Sequence, residues 1–159
     1  MMGYKLFTLE EARQLLPALR EMVESANGEL AGLLETVRLA NERYEEAEKR
    51  LGEVKAPDNQ VADLTELRES RTQFQDAIES LSRAQNEYVK TLNFWVEKIT
   101  ERGVILRDLR EGLLDFPAQD GDLEYLLCWR VDEPDIHFWH LENDGFRGRK
   151  PLVTLDEYR

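Results

Sequence analysis

The chain is predicted to be an α+β protein: a long, coiled-coil-like antiparallel helical hairpin followed by a small four-stranded antiparallel β-meander. Two observations predict this. Before Gly103, apolar residues recur with a seven-residue rhythm; after it, that rhythm gives way to the two-residue alternation of strands. Turn-forming clusters then recur at short intervals.

The helical part opens on Thr8-Leu9-Glu10-Glu11, a capping box in which the Thr8 hydroxyl and the Glu11 carboxylate each serve the other's backbone amide. A helix therefore begins at Leu9. Pro17 lacks a donor and disfavours helical geometry at Leu16, so it either kinks this helix or ends it. The reading preferred is a short first helix ending near Leu16, with Pro17 opening the next.

From there the apolar positions run Leu19, Val23, Ala26, Leu30, Leu33, Val37, Ala40, Tyr44, Ala47 and Leu51, in alternating steps of four and three. Gly28 and Gly32 lie inside this run, as a close-contact point or a weak spot. Gly52 to Gln60 breaks the pattern, with Pro57-Asp58-Asn59 as the turn. The second helix carries Leu64, Leu67, Arg71, Phe74, Ile78, Leu81, Gln85, Tyr88, Leu92, Trp95 and Ile99, with Arg71 and Gln85 as polar seam residues that would fix register. Gly103 is placed to stop it. Apolar residues off the seams, Met22, Leu34, Leu39, Phe94 and Val96, widen the stripe enough to cover a sheet or a partner chain.

Past Gly103, Val104–Leu109 reads as a first strand, Arg110-Glu111-Gly112 as a turn, and Leu113–Phe116 as a second strand ended by Pro117. Asp120-Gly121 marks the next turn, Leu123–Val131 a third strand, Asp132–Asp135 a turn, and Ile136–Leu141 a fourth strand. The tail from Glu142 reads as a loop able to cover an edge strand. Residues 1–103 thus form the hairpin with its short capped helix. Residues 104–159 form the meander and tail, packed with the helices as one domain.

Composition narrows the classes. A chain of 159 residues is one domain's worth, with 42% hydrophobic and 34% charged residues and a net charge of -12. Both sides of Gly103 are acidic, so broad nucleic-acid binding is disfavoured. One cysteine, no apolar leader and no long apolar run predict a cytoplasmic protein without a membrane span.

Chemistry-bearing residues concentrate late. Both histidines, the one cysteine and two of the three tryptophans fall between Cys128 and His140. On a strand, His137 and His140 point to opposite faces and cannot share one ion from the same strand. Asp108, Asp115, Glu133 and His140 are the candidate metal ligands, because buried carboxylates are costly unless paired or bound to a cation. The register around Gly112 decides their arrangement. With a turn of Arg110-Glu111 alone, Asp108 and Asp115 share a face; with Gly112 as a bulge, Arg107 falls opposite Asp115 as a plain ion pair. Trp139, Arg147 and Arg149 are candidate ligand contacts, the arginines lying in the basic run Gly145-Phe146-Arg147-Gly148-Arg149-Lys150. Cys128, between Leu127 and Trp129, reads as a small buried thiol. No catalytic or cofactor motif is completed, and a divalent metal is the one cofactor these side chains could take.

These residues also carry a resemblance. Phe7-Thr8-Leu9-Glu10-Glu11-Ala12, Leu15-Leu16-Pro17, Gly103-Val104 through Asp108-Leu109 and Gly112 to Pro117 resemble an uncharacterised bacterial family, domain of unknown function 2203. So do Leu127-Cys128-Trp129-Arg130, Glu133-Pro134, Ile136, Trp139-His140 and Gly145 to Arg149. The resemblance spans nearly the whole chain and implies no activity, substrate or catalytic residue. Within it, His140 belongs to the Trp-His pair and His137 looks incidental.

The expectation from sequence is a non-enzymatic, self-associating or protein-binding scaffold, as a homodimer with a four-helix bundle or with a partner protein on its helices. The alternative is a small-ligand or metal-binding protein with its site at the sheet end, performing metal-assisted hydrolysis with His140 as ligand or base.

Overall fold

A computed structural model describes residues 5–54 and 64–158. The expected Pro57-Asp58-Asn59 turn lies outside the described residues. Helices α1 (Leu9–Val54) and α2 (Leu64–Thr100) form a hairpin. Strands β1 (Ile105–Asp108), β2 (Leu113–Asp120), β3 (Leu123–Arg130), β4 (Phe138–His140) and β5 (Lys150–Pro151) follow, as one antiparallel sheet in sequence order. Among the described residues, no helix is long and apolar enough to cross a membrane.

The capping box forms as expected, with Thr8 N donating to Glu11 Oε1 and Glu11 N to Thr8 Oγ1. The break expected at Pro17 does not. α1 runs through it, because Leu16 and Leu19 on either side are buried in the core while Pro17 itself is exposed. Packing outweighs the lost helical hydrogen bond.

The chain divides into two compact units. Met1–Gly28 with Asn93–Arg159 forms the first and Glu29–Leu92 the second. In the first, Ala12, Leu16, Leu19, Val23 and Ile99 meet Leu114, Phe116, Leu127, Trp129 and Ile136. The sheet therefore gives one face to the helices, as period-two alternation dictates. Arg20 stitches the two together: its guanidinium donates to the carbonyls of Val131 and Glu133 and lies over the Trp129 ring.

Two strand assignments are corrected. Pro117 does not end β2, which continues opposite β3 from Leu113↔Arg130 through Pro117↔Leu126 to Asp120↔Leu123. The Pro117 carbonyl accepts from Phe7 N at 2.8 Å. In a strand, a residue's N and O project to the same side, so the missing N–H falls on the edge away from β3 and no ladder bond is lost. The tail is not a plain loop either. Lys150–Pro151 adds a fifth strand to β4, flanked by 3-10 turns at Phe146–Gly148 and Leu152–Tyr158.

In the second unit the seam of α1 holds: Leu30, Ala40 and Ala47 are buried, and Leu33, Val37, Tyr44 and Leu51 half-buried. The seam of α2 is displaced by one residue along one of its two columns. Leu67, Phe74, Leu81 and Tyr88 are half-buried as expected, but the other column is Ser70, Ala77, Ala84 and Thr91, all buried. Leu64, Arg71, Ile78 and Gln85 are exposed. Arg71 and Gln85 are therefore not polar seam residues. Small side chains win the inner column because they let two helices approach closely, with Tyr44 stacking near Phe74 at 5.5 Å. Gly28 and Gly32 mark no close contact among the described residues, none of which lies within 4 Å of where their side chains would be.

Candidate functional site

The sheet's other face carries the polar chemistry. Directly paired residues of antiparallel strands share a face, so Asp115↔Cys128 and Cys128↔Phe138 set one row, and Leu126↔His140 the next. Asp115, Cys128 and His140 are each no more than 2% exposed. A layer of this kind inside a protein must be paired to persist.

Arg107 supplies one partner. β1 pairs Leu106 with Leu114 and Asp108 with Leu113, leaving Arg107 as an extra, bulged residue. The observed register combines parts of the two weighed from sequence: Asp108 faces Leu113 as in the first, the Arg107–Asp115 ion pair of the second forms, and the bulge lies at Arg107 rather than Gly112. A bulge re-aims its side chain, and Arg107 Nε donates to Asp115 Oδ2 at 2.7 Å. His140 supplies the second partner. Its Nε2 donates to the same Oδ2 at 3.0 Å, and its Nδ1 to the Leu141 carbonyl at 2.7 Å. Both ring nitrogens thus face acceptors.

Electrostatics follow from this geometry. Burial works against the charged His140 ring, but Asp115 and the Leu141 carbonyl outweigh it and hold its pKa above the ordinary 6.5. Burial likewise opposes the Asp115 carboxylate, yet hydrogen bonds from His140 and Arg107 keep its pKa below the ordinary 3.8. The Cys128 thiol is pushed up to about 12, by burial first and by the neighbouring Asp115 second. It is no nucleophile at neutral pH.

Of the four candidate metal ligands, the fold joins Asp115 and His140 and separates the others. Asp108 is exposed and accepts from Glu111 N in the turn after β1. Glu133 accepts two bonds from Arg149 Nη2, both at 2.8 Å, and one from Arg130 N. Among the candidate ligand contacts, Arg149 is thus tied to Glu133, with its guanidinium 3.9 Å from the Phe138 centroid and 4.6 Å from that of Phe146. Arg147 is exposed. Trp139 is buried, bonded through Nε1 to the Pro151 carbonyl and Thr154 Oγ1. His137 is exposed, on no shared site with His140.

The residue that sequence reading passed over is Cys128. A ligand atom from each of Asp115, Cys128 and His140 lies within 4.8 Å of the others, so these three side chains could hold a metal ion. The Asp120–Leu123 turn would have found it: counting back from that two-residue loop places Cys128 opposite Asp115.

Residues 5–152 match a family described as an uncharacterised conserved protein, DUF2203. The chain belongs to that family. The match covers the hairpin and the sheet through the first residue after β5, so the Asp115 layer lies inside the DUF2203 region. No curated protein and no solved structure matches this DUF2203 chain.

Proposed function

We propose that this protein is a self-associating scaffold, two copies packing through their second helices into a four-helix bundle. One observation carries the reading. The α2 column Leu64, Arg71, Ile78, Gln85, Leu92 keeps a strict seven-residue spacing, yet its first four members are exposed. Seven-residue spacing on a straight helix face is what a second helix recognises.

The column is also its own complement. A two-fold interface requires that residue i meet j while j meets i. With α2 antiparallel to its copy about Ile78, Ile78 meets Ile78, Leu64 meets Leu92, and the Arg71 guanidinium meets the Gln85 amide oxygen. Leu34, 56% exposed, flanks the same side, where it lines a shallow apolar groove with Val37 and Leu81. A net charge of -12 per copy repels over distance, so association tightens as salt rises. The unpaired Cys128 fits a cytoplasmic setting for this assembly.

Sedimentation of the full chain tests it. A dimer is expected for the parent and a monomer of unchanged helicity for Ile78→Glu. A monomeric parent at micromolar concentration, or a dimer indifferent to Ile78→Glu, overturns the reading.

A further inference from the structure

We propose that Asp115, Cys128 and His140 form a binding site for one zinc-type divalent transition metal ion. The inference is independent of self-association and rests on the sheet alone.

Three strands each contribute one donor to a single buried point: an oxygen from β2, a sulfur from β3 and a nitrogen from β4. Their mutual separations, all within 4.8 Å, need to close by only about 1 Å for tetrahedral coordination at roughly 2.0–2.3 Å per bond. Asp115 Oδ1 points to a ligand independently. It is fully buried and, among the described residues, has no hydrogen-bond partner, although Oδ2 of the same carboxylate has two. The weak S–H donor of Cys128 is the group beside this carboxylate, and a cation would satisfy the buried acceptor more fully.

The surroundings have the form of outer-shell support. A metal-binding histidine typically donates its other ring N–H to a carbonyl, which fixes the ring, and His140 Nδ1 donates to Leu141 O. Arg107 holds Asp115 by Oδ2 and leaves Oδ1 for the ion. A thiolate and an imidazole together select zinc, cobalt or nickel over magnesium and calcium.

Ligand chemistry suits the ion: to bind it, the Cys128 sulfur gives up its proton to solvent and His140 Nε2 offers its lone pair. The Asp115 carboxylate and the thiolate then oppose the ion's two positive charges, while Arg107 stays on Oδ2. Three protein ligands leave a fourth position for water or an added ligand.

Titration of the full-length chain with cobalt(II) alone tests this. Cys128 is the chain's one cysteine, so a sulfur-to-cobalt charge-transfer band reports this site and no other. One equivalent of cobalt is expected to produce that band with intense tetrahedral visible bands, and zinc is expected to displace it. Cys128→Ala should abolish the charge-transfer band and lower zinc affinity at least tenfold, while His137→Ala, at an exposed position, changes neither. Folded parent protein that binds no cobalt, or binds it without the sulfur band, overturns the proposal. So does a folded Cys128→Ala variant with undiminished zinc affinity. If that variant fails to fold, the parent's cobalt spectrum decides by itself.

Discussion

His140 on β4 reaches Asp115 on β2 across the whole width of the intervening strand, closing to 3.0 Å with both side chains buried. The pair bolts three strands together on the face that the helices do not cover. Because both partners titrate, it also makes stability depend on pH.

For the metal-free protein, the His140 contribution is complete below 6.5, its ordinary value, and fades as pH rises through its higher folded value. The Asp115 contribution is complete above 3.8 and fades as pH falls through its lower folded value. Between about pH 3.8 and 6.5 both are present. Urea unfolding in the presence of a chelator should therefore show His140→Ala costing about 3–5 kcal/mol in that window. The cost should shrink toward higher pH. A pH-independent difference would refute the charged pairing.

Pro17 lies inside α1 on an exposed face, where it withholds the donor that would meet the Arg13 carbonyl. Pro17→Ala restores that donor and good helix propensity. The looser unfolded chain takes back about 0.4–1 kcal/mol of the gain. A net stabilisation of about 1–2 kcal/mol is expected from chemical denaturation, and loss of stability would count against an unbroken helix.

Gly112 turns the chain between β1 and β2 at φ 69°, and any Cβ there would overlap the Val131 side chain. Gly112→Ala should cost upwards of about 1–3 kcal/mol, from left-handed strain and the clash together. Gly121→Ala shares the backbone strain, at φ 61°, but meets open space and should cost less. Thermal melting of the two variants ranks them.

Ala84 is buried in the inner column of α2. Ala84→Leu should overpack the hairpin and destabilise it by about 1–3 kcal/mol, whereas Gln85→Leu, on the exposed column, should leave monomer stability within about 0.5 kcal/mol. Equal effects from both would restore the column first read from sequence.

That column shows where sequence reading runs out. Period and capping identified both helices, the Leu9 start and the change of structure at Gly103, since those signals are local. The choice between the column at Ala77 and the one at Ile78 was not local. Hydrophobicity favoured Ile78, while close helix approach favoured the smaller residue, and only the partner helix decides between them. Pro17 and Pro117 were overvalued for the same reason. Each lacks a donor, but at Pro117 that donor is dispensable and at Pro17 packing outweighs its loss. Cutting β2 short at Pro117 then hid the register that pairs Asp115 with Cys128, and so hid the third member of the candidate site.

Pro117 has one more effect. β1 covers β2 only as far as Asp115, and beyond that point the rim of the sheet would offer a template to any unfolded chain. There the rim presents a proline that cannot donate, and its carbonyl is already claimed by Phe7. At Pro117 an invading segment meets neither a donor nor a free acceptor, so the protein carries a guard there against runaway β-addition.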